Sequence, residues 1–460
     1  MRTKSDSSTP LTLVPEPTRI VIAGGGYVGL YTALRLRKRL RREIARGDVT
    51  VTVVDPRSFM TYQPFLPEAA AGSLEPRHVV VPLRKELEGI DVLTGRITGI
   101  EHARRRVRVE PVAGEPFDLP YHHLVVALGS VSRTLPIPGL AEHGIGFKQV
   151  EEAVALRNHV LDRLDVAAST SDPQVRARAL SFVVVGGGYA GVEALAEMED
   201  MARFATRYVE GVSPEDLRWV LVEASGRILP EVGPEMGAYT VDQLRERGIE
   251  VRLGTRLESA VDGVVVLSDG EQFAADTLVW TAGVRANPAI AASDLPTDDR
   301  GRVTARPDLR VVGPDGVLHG VWTAGDNAAV PDLTSDQPGA TCSPSAQHAV
   351  RQAKRLADNL VAVLRGRPTT DYAHKHAGSV ASLGLYRGVA QIYGIRLRGF
   401  PAWFMHRTYH MSRMPTLNRK VRVVTDWTLA LLFRREVVSL GTVHTPREEF
   451  ARAARLHEVA

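Results

Sequence analysis

Ile20-Val21-Ile22-Ala23-Gly24-Gly25-Gly26-Tyr27-Val28-Gly29 is the stretch that decides the fold. An apolar, β-type run enters a Gly-x-Gly-x-x-Gly turn at Gly24, Gly26 and Gly29. An Ala/Leu/Arg helix follows from Leu30, and residues 49–54 make a second apolar strand that ends on Asp55. In such a unit Gly24 turns the chain sharply and Gly26 admits backbone N–H groups to a pyrophosphate at the helix N-terminus. Gly29 lets helix and strand pack closely, and Asp55 accepts hydrogen bonds from ribose hydroxyls. Glycine-rich turns also serve ordinary packing; the strand before, the helix after and the acid at the next strand end are what point to a nucleotide.

The same unit returns in Ser181-Phe182-Val183-Val184-Val185-Gly186-Gly187-Gly188-Tyr189-Ala190-Gly191-Val192-Glu193. Gly186 lies 162 residues after Gly24, and a new acid-ended strand, Trp219-Val220-Leu221-Val222-Glu223, follows. Two matches in full context are an internal repeat, which predicts two dinucleotide domains of one design. A strand through Ala127 to Gly129 ends in small residues that let the backbone pass close to a ligand, and Leu278–Gly283 echoes it. A third apolar strand ends in Ala324-Gly325-Asp326, where a carboxylate suits a sugar or ribitol hydroxyl; an Asx turn is the plain alternative. Ala346-Gln347-His348 opens a helix with Ser343 or Ser345 near its N-cap. Residues 60–72, around Pro64-Phe65-Leu66-Pro67-Glu68, read as a connecting loop that leads into a short helix.

With 460 residues, the chain has room for roughly three folding units. Its one cysteine, Cys342, rules out an internal disulfide, a redox dithiol and a cysteine-based zinc or iron–sulfur site, so no metal is expected and redox chemistry must belong to a bound cofactor. No apolar run approaches the ~18 residues that span a bilayer, and residues 1–18 read as a short flexible leader rather than a signal peptide, which predicts a cytoplasmic protein. The net charge of +4 conceals an asymmetry: residues 387–435 hold ten Lys/Arg against Asp426 alone, leaving 47 basic and 52 acidic residues elsewhere.

That basic tail has helical periodicity. In residues 400–414, Phe400, Trp403, Phe404, Met411 and Met414 share a stripe, with His406, His410 and Arg413 beside it and Arg407 interrupting it. In 417–433, Val421, Val424, Leu431 and Leu432 lie opposite Arg419, Arg422 and Asp426. Basic amphipathic helices with aromatic residues suit an anionic membrane surface; packing on the body or on a second subunit is the alternative. Nucleic acid is not expected as a partner beside two cofactor domains.

Taken together, these residues resemble the two-dinucleotide-binding flavoprotein superfamily, and within it the type II (non-proton-pumping) NADH:quinone oxidoreductases, over nearly all of 19–440. The segments that look like those enzymes in particular are Pro64–Glu68, Val279-Trp280-Thr281-Ala282-Gly283-Val284, Ala346-Gln347, 378–384 and the Trp/Arg-rich tail. The resemblance implies an α/β fold of two Rossmann-like domains, one for FAD (19–145 and 300–368) and one for NAD (146–299), with an amphipathic helical region at 369–460. FAD is then expected on Gly24, Gly26, Gly29, Asp55, Ala127, Gly129, Gly325 and Asp326, the last near the ribitol. NADH is expected on Gly186, Gly188, Gly191, Glu223 and Gly283. Glu193 is expected near the nicotinamide–flavin contact, with a helix-end carboxylate that uses the dipole as the plain alternative, and Gln347 is expected to orient a quinone carbonyl, with an exposed helical polar residue as its alternative. The implied partners are a quinone, the cytoplasmic face of the cell membrane and a second copy of the chain. A ferredoxin- or rubredoxin-type NADH reductase is the competing enzyme reading. Two departures stand out: Arg351 ends a helix pattern that commonly reads Ala-Gln-x-Ala-x-Gln, and Tyr189 replaces a usually smaller residue.

Overall fold

The computed structural model describes residues 16–375, 378–440 and 451, so most of the expected leader lies outside the described residues. The described parts of Met1–Met60, Pro82–Ser130 and Ala286–His374 form one compact unit; those of Thr61–Val81, Val131–Arg285 and Lys375–Ala460 form another. These units cut the chain at other points than the expected domains: residues 61–81 and the described tail group with the second glycine turn.

The first unit is built on an eight-stranded sheet. Its order is Arg310–Gly313, Gly316–Thr323, His123–Val126, Thr18–Ala23, Val49–Asp55, Asp91–Glu101, Arg106–Pro111, Phe117–Pro120. Thr18–Ala23 is parallel to both neighbours, with Ile20 opposite Val51 and Ile22 opposite Val125, so the glycine turn emerges at the carboxyl ends of the central strands. Central strands of a parallel sheet are covered on both faces, which is why Ile20–Ala23 and Leu124–Val126 are continuously apolar; Val49–Asp55 instead alternates buried Val with half-buried Thr over its first half. Val21, Val54, Leu124, Val126 and Val321 meet in one buried cluster. The helices Tyr27–Arg39 and Ala346–Leu364 are tied together by the Arg35 guanidinium, whose Nε and Nη2 donate to Asp358 at 3.0 and 2.8 Å.

The second unit repeats the plan in a five-stranded parallel sheet: Gly144–Gly146, Thr277–Trp280, Ser181–Val185, Arg218–Glu223, Glu250–Leu253. Every residue of Ser181–Val185 is buried, and the helix Tyr189–Ala205 follows its turn. The tail contributes a three-stranded antiparallel sheet, Gly378–Ser382, Gly388–Ile392 and Ile395–Arg398, then the helices Gly399–Arg413 and Leu417–Phe433. Both helices were expected; the sheet was not.

Their burial departs from the stripe reading. Trp403 and Met414 are inside, whereas Phe400 and Phe404 are each 55% exposed, and His406 is only 2% exposed. On the last helix Val421, Val424, Leu431 and Leu432 all face solvent and Val423 is the buried residue. No helix among the described residues is long and apolar enough to cross a membrane.

Candidate functional site

The first glycine turn closes against the end of the neighbouring strand His123–Val126. Gly24 has φ +111°, a conformation open to glycine, and a Cβ there would lie 2.3 Å from the Ala127 carbonyl oxygen. At Gly29 a Cβ would come within 1.8 Å of the Gly24 oxygen, so helix and turn touch through glycine alone. Gly26 is different: nothing lies within 4 Å of the place a Cβ would take. The turn therefore leaves open space at the helix N-terminus, where a pyrophosphate fits. Asp55 accepts hydrogen bonds from the Gly25 N–H at 2.7 Å and the Arg57 N–H at 2.8 Å. Burial nonetheless raises its pKa, opposed by those two N–H groups and the Arg57 charge.

The carboxyl ends of the neighbouring strands converge beside it. Ser130 Oγ donates to Asp326 Oδ2 at 2.7 Å, and the Gly129 N–H donates to Asn327 Oδ1 at 2.9 Å. Asn327, fully buried, also donates to the Val126 carbonyl and to Thr323 Oγ1, lashing the two strand ends together. The structure thus places Ala127, Gly129, Gly325 and Asp326 as one group at the sheet edge that carries Gly24, Gly26, Gly29 and Asp55. Asn327 was not foreseen; its position directly after a strand-end Gly-Asp was the available signal.

The Ala346–Leu364 helix is capped by Ser345, whose Oγ accepts from the His348 N–H at 3.2 Å. Gln347 Oε1 lies 3.0 Å from His374 Nε2, and Arg351 donates back to the Gln347 carbonyl at 2.9 Å. A carboxamide does stand one residue after Arg351. Gln352 is buried, and its Oε1 accepts from the Gly325 N–H at 2.8 Å, joining this helix to the Ala-Gly-Asp turn. Counting a full helical turn from His348 and Ala349 would have found it.

The second turn reproduces the first. A Cβ on Gly191 would sit 1.9 Å from the Gly186 oxygen, while Gly188 and Gly283 face open space. Glu223 accepts from the Gly187 N–H at 2.6 Å and the Ser225 N–H at 2.7 Å. Tyr189 begins the helix, half-buried, and burial raises the pKa of its phenol.

Glu193 is no exposed helix-end acid. It is 7% exposed; its Oε1 accepts from the Ser382 N–H at 2.9 Å and lies 3.0 Å from His406 Nε2. His406 stacks edge-on against His410, and burial, aided by His406, presses the His410 pKa well below its ordinary value. One turn on, Glu197 is buried too: Ser382 Oγ donates to its Oε1 at 3.2 Å, Arg435 stands 3.7 Å from Oε2, and desolvation pushes its pKa up to about 7. The Pro64–Glu68 stretch is likewise more than a loop. Glu68, 2% exposed on the short helix Leu66–Ala70, accepts from Arg407 Nη2 at 2.8 Å and Trp427 Nε1 at 2.7 Å. Arg407 interrupts the apolar stripe because it serves this buried acid.

Two cradles, each a glycine turn hydrogen-bonded to the acid of the next strand, define a two-dinucleotide oxidoreductase. Residues 18–353 match the family described as pyridine nucleotide-disulphide oxidoreductase. A type II NADH:quinone oxidoreductase of Staphylococcus epidermidis is 30% identical over 401 residues, covering 86% of this chain and 94% of that one. One from Mycobacterium tuberculosis is 28% identical over 475 residues, covering 99% and 96%. The structure of NDH2 from Plasmodium falciparum in complex with NADH shares the fold at a TM-score of 0.83 and 16% identity, covering 92% of this chain and 99% of that one. The chain belongs to the pyridine nucleotide-disulphide oxidoreductase family and, within it, to the type II NADH:quinone oxidoreductases. The disulphide of the family name has no counterpart here: Cys342 is the sole cysteine, and burial pushes its thiol up to about 11.

Proposed function

We infer that this chain oxidises NADH and reduces a quinone by way of FAD, with the overall balance NADH + H⁺ + quinone → NAD⁺ + quinol. The observation that carries this is the pair of complete cradles in a chain without a dithiol: electrons entering from a nicotinamide leave through a bound cofactor to a diffusible acceptor. When bound, the flavin supplies hydride acceptance and onward electron transfer; the chain supplies position and charge.

In this reading the backbone at Gly24, Gly26 and Gly29 cradles the FAD pyrophosphate, Asp55 reads its ribose, and Asp326, beside Ala127, Gly129 and Gly325, faces the ribitol. Gly186, Gly188, Gly191 and Gly283 do the same for NADH. Glu223 pairs with ribose hydroxyls and repels a 2′-phosphate, which favours NADH over NADPH. Glu193, held by Ser382 and facing His406, keeps a carboxylate near the nicotinamide–flavin contact. Gln347 orients a quinone carbonyl.

The same reading places the protein peripherally on the cytoplasmic face of the membrane, as a homodimer. The outward-facing Phe400, Phe404, Val421, Leu431, Leu432 and Phe433 support it, since apolar surface on two basic helices is what an interfacial helix presents to lipid. That surface also disfavours a soluble ferredoxin-type acceptor.

The test is anaerobic stopped-flow on the flavin-loaded protein, reducing it with NADH and then mixing it with a short-chain menaquinone or ubiquinone analogue. Rapid bleaching of the flavin absorbance followed by rapid return is expected. Bleaching by NADH without return on quinone would refute the acceptor while leaving the donor half intact.

A further inference from the structure

Within the second unit, the helices Tyr189–Ala205, Gly399–Arg413 and Leu417–Phe433 and the turn after Ser382 enclose a groove of about 1150 Å³. Its walls are aromatic: Phe400 lies 5.5 Å from Trp403 and 6.3 Å from Phe404, centroid to centroid, and Tyr386 packs edge-on against Trp403 at 4.9 Å. Its charge is lopsided. Seven arginines line it, against the carboxylates of Asp200 and Glu246.

Those arginines fall into two sets. Arg203 and Arg247 are bound to Glu199, Arg407 to Glu68 and Arg435 to Glu197, so four are already neutralised in place. Arg207, Arg387 and Arg434 are exposed, and among the described residues no carboxylate pairs with them. Arg207 and Arg434 both lie over the Phe204 ring, at 5.4 and 5.8 Å from its centroid, and so converge on one spot. The groove therefore offers uncompensated positive charge next to aromatic walls, and Phe400, Phe404 and Leu431 continue those walls onto the exposed faces of the helices.

We propose that this groove is a binding site for an anionic phospholipid: Arg207, Arg387 and Arg434 hold the phosphodiester, and the acyl chains run over Phe400, Phe404 and Leu431. Charge selects this occupant. A neutral quinone ring would leave the three guanidinium groups without an anion, and a zwitterionic lipid would bring a fixed cation of its own beside its phosphodiester, whereas an anionic lipid gives Arg a phosphate for its planar fork of donors with no competing positive charge. The proposal rests on the membrane reading above and sharpens it from general adsorption to one selective seat.

Trp403 and Trp427 line the groove and serve as reporters. The full-length flavin-loaded protein is mixed with vesicles of equal parts phosphatidylglycerol and phosphatidylcholine, with bromine on the acyl chains of one lipid or the other. Surface charge and the amount of protein bound are then identical in the two arms. Brominated phosphatidylglycerol should quench tryptophan more than brominated phosphatidylcholine does. The triple variant R207Q/R387Q/R434Q should lose that difference, while R413Q/R419Q/R422Q, which removes equal charge from outside the groove, should keep it. At roughly fivefold per guanidinium brought to an anionic surface, the groove variant, which loses three, should also need on the order of 100-fold more phosphatidylglycerol to reach the same quenching. Equal quenching by the two lipids in wild type, or an unchanged preference in the groove variant, would overturn the seat but not membrane binding. A soluble quinone analogue that relieved the quenching equally in wild type and groove variant would give the groove to quinone. Failure of the wild type to bind either vesicle would overturn both readings.

Discussion

Glu197→Gln should make this protein more stable above neutral pH, although it deletes half of an ion pair. The carboxyl is 1% exposed, its Oε2 has Arg435 no closer than 3.7 Å, and Glu68 and Asp200 add like charge nearby. Desolvation dominates, and its pKa rises from an ordinary value of 4.5 to about 7. The folded chain thus keeps a proton that the unfolded chain has released. Stability falls as pH rises between those two values and is flat above the upper one. At about 1.4 kcal/mol per pKa unit the loss is about 3 kcal/mol. Glutamine keeps the shape and the Ser382 hydrogen bond but does not titrate. In scanning calorimetry between pH 5 and 9 the variant should melt close to wild type at the acid end and rise relative to it through pH 7. Spread over a unit of this size, the gain is about 6–12 °C. Melting curves that run parallel in pH for wild type and variant would refute the argument, because they would mean that the carboxyl ionises equally well folded and unfolded.

Three further outcomes follow from the geometry. Gly26→Ala meets no protein atom, so it should leave the melting of the flavin-free protein within about 0.5 kcal/mol of wild type while lowering the flavin-to-protein absorbance ratio; Gly29→Ala, driving a Cβ to 1.8 Å from the Gly24 oxygen, should damage both. Arg407→Met strands the buried Glu68 carboxylate and should cost about 3–5 kcal/mol in denaturant unfolding, most of it recovered by adding Glu68→Gln. Glu223→Gln keeps an acceptor for Gly187 but removes the charge, so the NADPH-to-NADH ratio of kcat/KM should rise roughly tenfold; an unchanged ratio would mean that Glu223 does not face the ribose.

What could be read from the chain was what is local in it. Each glycine turn, its strand, its helix and its acid sit within about 40 residues, and their spacing specifies their geometry. The tail helices were legible from period, but not which side of them turns inward. A hydrophobic stripe predicts burial only if nothing inside needs a polar partner, and here Glu68 draws Arg407 inward, while His406 lies buried 3.0 Å from Glu193. Glu68 and Trp427 are 359 residues apart, so no window along the chain joins them. The same distance hid Glu68 within an apparent loop. Gln352 is another kind of miss: its partner is the backbone of Gly325, and a side chain that serves a backbone N–H leaves no complementary residue type to look for.

In both cradles the strand-end acid is also the clasp of the turn, at 2.7 Å from Gly25 and 2.6 Å from Gly187. On the proposed reading, in which these acids face the ribose hydroxyls, cofactor preference and the rigidity of the loop are inherited together. A lineage drifting toward a phosphorylated dinucleotide cannot exchange the acid for a side chain without an acceptor, because the same step unfastens the turn. Retargeting such an enzyme, in evolution or at the bench, calls for transplanting turn and strand end as one cassette.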